Sequence, residues 1–437
     1  MPQSLSTLDP FLKENYQDGI IDQIHRASPI TELFEDASAD ESADGRAVVV
    51  ATKLRDSEGI GHIGERGTIP SAGNAVGGNF RIGLKYGYIP IELSEQSMAF
   101  SKSNETSFIR ALKLEMDSST STYKKELSRK VCGAGSGIVC RVNGAVAPAG
   151  TIVVVDDPAG VTGAVGGQNG ARFLRVGMRV AFLDPITSAI LAVRTVTAVA
   201  ALGNSITVDA PLAAGLVDNA VVTTVSTASA TATSLDLGFG NEPMGIMGLF
   251  DDGTYNASLF GISRATFPIL NAYTDGTAAG LSLDRIQRAI DVTYQRGGEQ
   301  VDCLAAGPEV QRGYLALLEA FRRYTSEKLI SPDGGTNAAK KFSGGLTYGN
   351  LPLVIDYNLP YGQLFGFVKG NCKRYSIGKG KWDDRTGSIF RQMSGANGLI
   401  HSYFAFWFEF ANYAYLNPNT SFRISEITGL NTIYVPS

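Results

Sequence analysis

Residues 299–321, EQVDCLAAGPEVQRGYLALLEAF, and residues 344–382, GGLTYGNLPLVIDYNLPYGQLFGFVKGNCKRYSIGKGKW, decide how this chain is read. They alternate short apolar runs, one helix pattern and tight turns. Val301 to Ala305 is a strand. Gly307-Pro308-Glu309 then opens a helix with proline in its first turn, where no backbone N–H is needed. LPLVIDY and QLFGFVK are further strands, joined through Asn358-Leu359-Pro360-Tyr361-Gly362. Between the two runs lies a polar loop, 322–345, carrying Arg322, Arg323, Lys328, Lys340 and Lys341. It can meet phosphate, an acidic neighbour or solvent alone. No nucleophile, base or metal-ligand cluster lies in the whole stretch, so it reads as a module for packing and contact.

Working outward, HSYFAFWFEFANYAYL (401–416) alternates strictly. Phe404, Phe406, Phe408 and Phe410 face one way; Tyr403, Trp407, Glu409 and Tyr413 face the other. Period-two aromatics fill sheet cores, so core packing is the expectation and a ligand platform the alternative. SFRISEI gives a last strand. Upstream, SLDRIQRAIDVTYQR (282–296) is an amphipathic helix ended by Gly297-Gly298. Residues 237–280 are mixed, with a short helix near EPMGIMGLF.

Residues 134–236 differ in kind: they contain no lysine and no glutamate. The runs TIVVV, MRVAFL, AILAVRTVTAV, SITV and AVVTTV are split by Asp157-Pro158, Asp184-Pro185 and Gly203-Asn204. This spacing predicts an all-β insertion, barrel or sandwich. Before it, 104–132 is the strongest helix. Phe108, Leu112, Met116, Ser119, Tyr123, Leu127 and Val131 line one side, and Arg110, Lys113, Asp117, Lys124 and Arg129 the other. At this length it spans roughly 40 Å, a structural spine.

Residues 46–93 read as a long two-stranded excursion. AVVVATKL leads to a glycine-crowded tip, and FRIGLKYGYIPIEL places Phe80, Ile82, Leu84, Tyr86 and Tyr88 on one face. Such a hairpin cannot bury both faces alone and needs another surface, such as a second subunit. Residues 1–45 form an arm. Leu8, Phe11, Leu12, Tyr16, Ile20 and Ile24 recur at helical spacing, and DASADESADG (36–45) reads as an exposed linker.

A chain of 437 residues implies two to four structural units. With 18% charged residues it sits below the roughly 25% of ordinary soluble domains, a hint that partners cover some surface. The net charge of −4 argues against a general nucleic-acid binder. The start lacks a basic stretch before an apolar core, so no secretory signal is expected, and no apolar run is long enough for a membrane span. Cys132, Cys140, Cys303 and Cys372 form no CxxC pair, and His25, His62 and His401 lie far apart. Free buried thiols, no metal and no cofactor are therefore expected. Gly59-Ile60-Gly61-His62-Ile63-Gly64 matches a dinucleotide fingerprint, but ERGTIPSAG follows it and cannot start a helix, so a loop tip is the reading. GAGSG (133–137) lacks the Lys-Ser/Thr of a phosphate loop and reads as a hinge. Asp251-Asp252 and Asp383-Asp384 sit beside turn residues and read as exposed turn carboxylates.

The order of parts resembles the major capsid proteins of tailed double-stranded DNA phages, with their Hong Kong 97-type fold. FRIGLKYGYIPIELSEQSM resembles the root of the extended loop leading to the spine helix. VDCLAAGPEVQRGYLALLEAF with GGLTYGNLPLVIDYNLPYGQLFGFV is similar to the axial domain. GKGKWDDRTGSIFRQMSGANGLIHSYFAFWFEFANYAYLNP is similar to the return into the peripheral domain. The resemblance implies an α+β fold divided as N-terminal arm 1–45, extended loop 46–96, peripheral domain with spine helix 97–133, β insertion domain 134–236, peripheral domain 237–280, axial domain 281–383 and peripheral return strands 384–437. It implies a non-enzymatic subunit, assembled in the host cytoplasm into hexamers and pentamers of an icosahedral virion shell around double-stranded DNA, bound without sequence specificity. Portal, scaffold and decoration proteins would be further partners, and no membrane is involved. Inter-subunit contacts are expected from Phe11, Tyr16, Arg66, Phe80, Lys85, Tyr86, Arg322, Arg323, Lys340 and Lys341. Some family members lose an N-terminal segment by proteolysis; starting at Met1, this chain is expected not to. Some crosslink lysine to asparagine, but no asparagine–glutamate pair matches Lys53 or Lys85, so that chemistry is not carried over. The alternatives are an encapsulin-like cargo shell, and an α/β enzyme with a β accessory domain.

Overall fold

The computed structural model describes residues 28–38, 47–94, 105–212, 215–226, 232–322, 347–349, 351–377, 380–384, 389, 391–395 and 398–430. The fold is mixed α+β. Its largest sheet is built on one strand, Gly398–Tyr415. One edge of that strand pairs antiparallel with Lys85–Ser94, from Ser402 to Ala411. The opposite edge pairs with Arg391–Gly395, Lys381–Trp382 and Cys372–Ser376 in turn. Glu35–Ser38 adds outside Cys372–Ser376 in parallel.

The strict alternation of the long strand sorts its side chains. Ala405, Trp407, Glu409 and Ala411 are buried. On that face lies the long helix Glu105–Cys132. Its Tyr123 ring meets Trp407 edge-on at 5.1 Å, and the Tyr123 hydroxyl donates to Glu409 Oε2 at 2.8 Å. Met116, Leu127 and Val131 are buried with it. Arg129, expected on the polar side, is instead buried and paired with Glu242 and, at 3.1 Å, Glu126. A helix wedged between a sheet and a barrel has little free side, so a cation there needs buried partners.

The hairpin pairs Ala47–Arg55 antiparallel with Val76–Gly83. Phe80, Ile82 and Leu84 are buried, but Tyr86 and Tyr88 are exposed, so the expected common face ends at Leu84. The cause is a change of partner. Val76–Gly83 pairs within the hairpin, whereas Lys85–Ser94 pairs with the long strand, and there Ile89 and Ile91 are the buried residues. Two bonds fix the junction: Asn412 Nδ2 donates to the Gly83 carbonyl at 2.7 Å, and Lys85 Nζ donates to the Gly240 carbonyl at 2.7 Å.

A second sheet runs in the order Tyr273–Asp275, Phe422–Ile424, Leu364–Phe367, Cys303–Ala306, Leu351–Ile355, Thr347–Tyr348. Helices Leu283–Gly297 and Pro308–Arg322 accompany it. The first is capped by Ser282, whose side chain accepts from Arg285 N, and ends at Gly298 with φ +72°. Strands Ile138–Val142, Ile152–Asp156, Ser205–Val208, Ile190–Val199, Arg179–Leu183 and Val221–Thr224 close into a barrel. Its inward valines and isoleucines, with Phe182 and Leu174, form a separate core. The insertion is thus a barrel rather than a sandwich.

Three expectations are corrected here. Residues 35–38 are a strand rather than part of an exposed linker: Asp36 pairs with Arg374 at 2.7 Å, and Ile30, Leu33 and Phe34 just before it are buried. Asp251 is not a turn carboxylate in solvent. It is buried, accepts from the backbone N–H groups of Gly253, Tyr255 and Asn256, and faces Arg423 at 3.5 Å. Asp383 is likewise buried, against Arg391 at 2.5 Å. In each case an arginine distant in sequence or across the strand compensates the carboxylate, which turn composition does not reveal. Cys132, Cys140, Cys303 and Cys372 are free and buried.

Candidate assembly surfaces

The hairpin carries a tip, residues 56–75, without strand pairing and almost wholly exposed. Its two arms stay together: a Cβ on Gly59 would stand 2.6 Å from Gly73 N, a spacing only glycine allows. The tip bears Ile60, 92% exposed, Ile69, 81%, and Ile63, 50%. Isoleucine is among the residues most often buried, so three bare ones on one projection mark a contact site. Glu58, Glu65 and Arg66 stand among them, also exposed.

The second surface is the outer face of the large sheet. The four phenylalanines of the long strand are only half-buried there, against the expectation of core packing. Their rings follow one another at 5.7, 6.2 and 5.2 Å between centroids. Tyr86, 61% exposed, stands 4.9 Å from Phe410. Tyr88, 56% exposed, lies 6.2 Å from Phe406 and 6.3 Å from Phe410. Exposed Ile377 borders Phe410, its N–H donating to the Phe410 carbonyl. The long helix covers the opposite face, so nothing on that side of the sheet uses this aromatic row.

Of the residues expected to make contacts, Arg66 lies on the tip and Tyr86 on the aromatic face. Phe80 does not belong with them. It is 1% exposed and packs on Phe260, because its strand parity points it into the subunit's own core. Lys85 is half-buried and holds the Gly240 carbonyl, and burial lowers its pKa. Phe11, Tyr16, Arg323, Lys340 and Lys341 lie outside the described residues, as does most of loop 322–345. Arg322 ends its helix, and its side chain is not described. Sequence reading missed Ile60, Ile63 and Ile69; the available signal was an isoleucine recurring within glycine-rich loop with no apolar neighbour.

The barrel is clamped to the body rather than hung from it. Arg175 pairs with Glu126 of the long helix. Arg172 donates to the carbonyls of Tyr357 and, at 3.2 Å, Leu359, with its guanidinium 4.1 Å from the Tyr361 ring centroid. Glu426 accepts from Val165 N at 3.3 Å. Among the described residues no His, Cys, Asp and Glu group is placed to hold a metal, and no helix is long and apolar enough to cross a membrane.

Asp157 gives the barrel a pH dependence. Burial, then the neighbouring Asp156 charge, raises its pKa to about 6. A carboxyl raised above its unfolded value of about 3.9 favours folding in its protonated form, so its penalty is greatest above pH 6 and gone below pH 4. Asp157→Asn is expected to raise the melting temperature at pH 7 and to leave it unchanged near pH 4. Asparagine also tolerates the φ of 47° at this position. Thermal unfolding across pH checks this.

No family model matches the sequence, and no curated protein matches it. Solved structures do. The chain is similar to the cyanophage A-1(L) capsid asymmetric unit, at 11% identity over 92% of this chain and 93% of that one, with a TM-score of 0.44. It is similar to the capsid of Myoviridae phage XM1, at 7% identity over 91% and 92%, TM-score 0.42. The virus-like particle of Pyrococcus furiosus matches at 6% identity over 95% and 99%, TM-score 0.35. These likenesses are to capsids and a virus-like particle.

Proposed function

We propose that this chain is a shell subunit, the major capsid protein of a tailed phage, self-assembling into hexamers and pentamers around double-stranded DNA. The observation that carries the reading is the hairpin, which projects three exposed isoleucines from a subunit that offers them no cover of its own. A protein that acted alone would leave this apolar tip in water. Repeated across many copies, even a weak contact of this kind holds a closed assembly, because each subunit engages several neighbours at once. The order of hairpin, long helix, inserted barrel, second sheet and returning long strand accords with the resemblance to Hong Kong 97-type subunits. In that scheme the second sheet and its helices form the axial domain, and the large sheet with the long helix forms the peripheral domain.

Excising residues 60–72 tests it, because Gly59 and Gly73 already abut and can close a short turn. The shortened chain is expected to remain a soluble, folded subunit and to lose at least ten-fold in assembled particles by sedimentation and electron microscopy. Normal particles from it would refute the role of the tip. DNA recovered from purified wild-type shells supports a phage capsid, and empty or cargo-filled shells point to a nanocompartment.

A further inference from the structure

We infer that the aromatic face of the large sheet, chiefly Tyr86, Tyr88, Phe406 and Phe410, is the seat for the hairpin tip of a second copy of this chain. The inference deepens the shell reading and rests on it.

Two unpartnered apolar features exist on one subunit, and they differ in shape. One is a flat row of rings; the other is a narrow projection ending in Ile60, Ile63 and Ile69. Flat aromatic surface accepts an aliphatic projection with large contact area and little loss of side-chain freedom. Their charges are opposite in pattern. Lys381 and Arg391 stand beside the rings, opposite Phe408 and Phe404 on neighbouring strands, with Glu92 across from Phe404 on the other edge. The tip carries Glu58, Glu65 and Arg66. Two cations and one anion thus face two anions and one cation, which fixes orientation more than affinity.

Own-chain docking is disfavoured by connectivity. The hairpin strand Val76–Gly83 passes into the sheet strand Lys85–Ser94 through Leu84 alone, and Asn412 and Lys85 pin that junction. The tip therefore leaves from the end of the strand that carries the tyrosines and would have to double back to reach them. A projection on one copy seated on a different patch of the next is a heterologous contact, the kind that closes rings when the rotation permits.

The test uses two full-length single variants, Ile63→Cys and Tyr88→Cys, both at exposed positions; the four native thiols are buried. Mixed during assembly under oxidising conditions, they are expected to give a covalent dimer containing one chain of each kind, with each variant alone giving at least ten-fold less. Tyr88→Glu should independently reduce particle yield at least ten-fold while leaving the melting temperature of the free subunit unchanged. Assembled particles with no mixed disulfide overturn this contact and leave the shell reading standing. A chain that remains uncrosslinked and never assembles overturns both.

Discussion

Arg129→Met should lower the folding stability of the subunit by about 3–5 kcal/mol, read as a shift in the denaturant midpoint. The reason is the company Arg129 keeps. It lies buried between Glu242 and Glu126, and Glu126 also receives Arg175 from the barrel. Burial works against its charge, but Glu242 and then Glu126 more than offset that and hold the guanidinium above its ordinary pKa. Methionine keeps much of the volume and removes the charge, which leaves Glu242 buried without its partner. Removing one member of a buried pair exposes the full desolvation cost of the other. The double variant Arg129→Met, Glu242→Leu is expected to recover most of the loss, within about 1 kcal/mol of wild type, since an apolar pair of similar size often replaces a buried ion pair without penalty. A double variant as unstable as the single would mean that the cost lies in packing instead. Glu126 and Arg175 remain in both variants, so the barrel's tie to the helix is retained throughout.

This cluster also shows where sequence reading reaches its limit. Helical spacing located the long helix and its apolar stripe through Met116, Leu127 and Val131, because a 3.6-residue period survives any tertiary context. It assigned Arg129 to the solvent side for the same reason: periodicity speaks of one helix and is blind to a second neighbour. The barrel strands were legible from turn residues and β-branched runs, and closure followed from pairing Val221–Thr224 with both Ile138–Val142 and Arg179–Leu183. The hairpin was legible as an excursion. The switch at Leu84 was not, since a strand that changes partner can reverse its buried side without any break in the apolar alternation. The aromatic row was visible as a row, but its exposure depends on which face the long helix occupies, and that choice is made by Trp407 and Glu409 rather than by the phenylalanines. Ile60, Ile63 and Ile69 were hidden by their surroundings. Glycine-rich loop composition masks apolar residues whose only partners lie on another molecule.

The two faces of the long strand should respond in opposite ways to truncation. Trp407 is fully buried, touches Tyr123, and lies so close to Gly380 that a Cβ there would strike its ring. Trp407→Ala should cost about 3–5 kcal/mol, because the helix on one side and the glycine backbone on the other restrict collapse into the void. The variant is expected to unfold at much lower denaturant and to yield little soluble subunit. Phe406, one residue away, points to the half-exposed face. Phe406→Ala should cost the isolated subunit no more than about 1.5 kcal/mol, since only part of its area leaves water on folding. Its effect should appear instead in assembly, as particle yield reduced at least ten-fold at a subunit concentration where wild type assembles fully. Denaturant unfolding of the free subunit and sedimentation of assembly mixtures separate the two outcomes. A Phe406 variant that lost stability as severely as the Trp407 variant would place the phenylalanine row in the subunit core, and a Phe406 variant that assembled normally would remove the row from the interface. Both residues sit on a single strand with the same neighbours in register, so the contrast between them isolates which face of the sheet a second subunit covers.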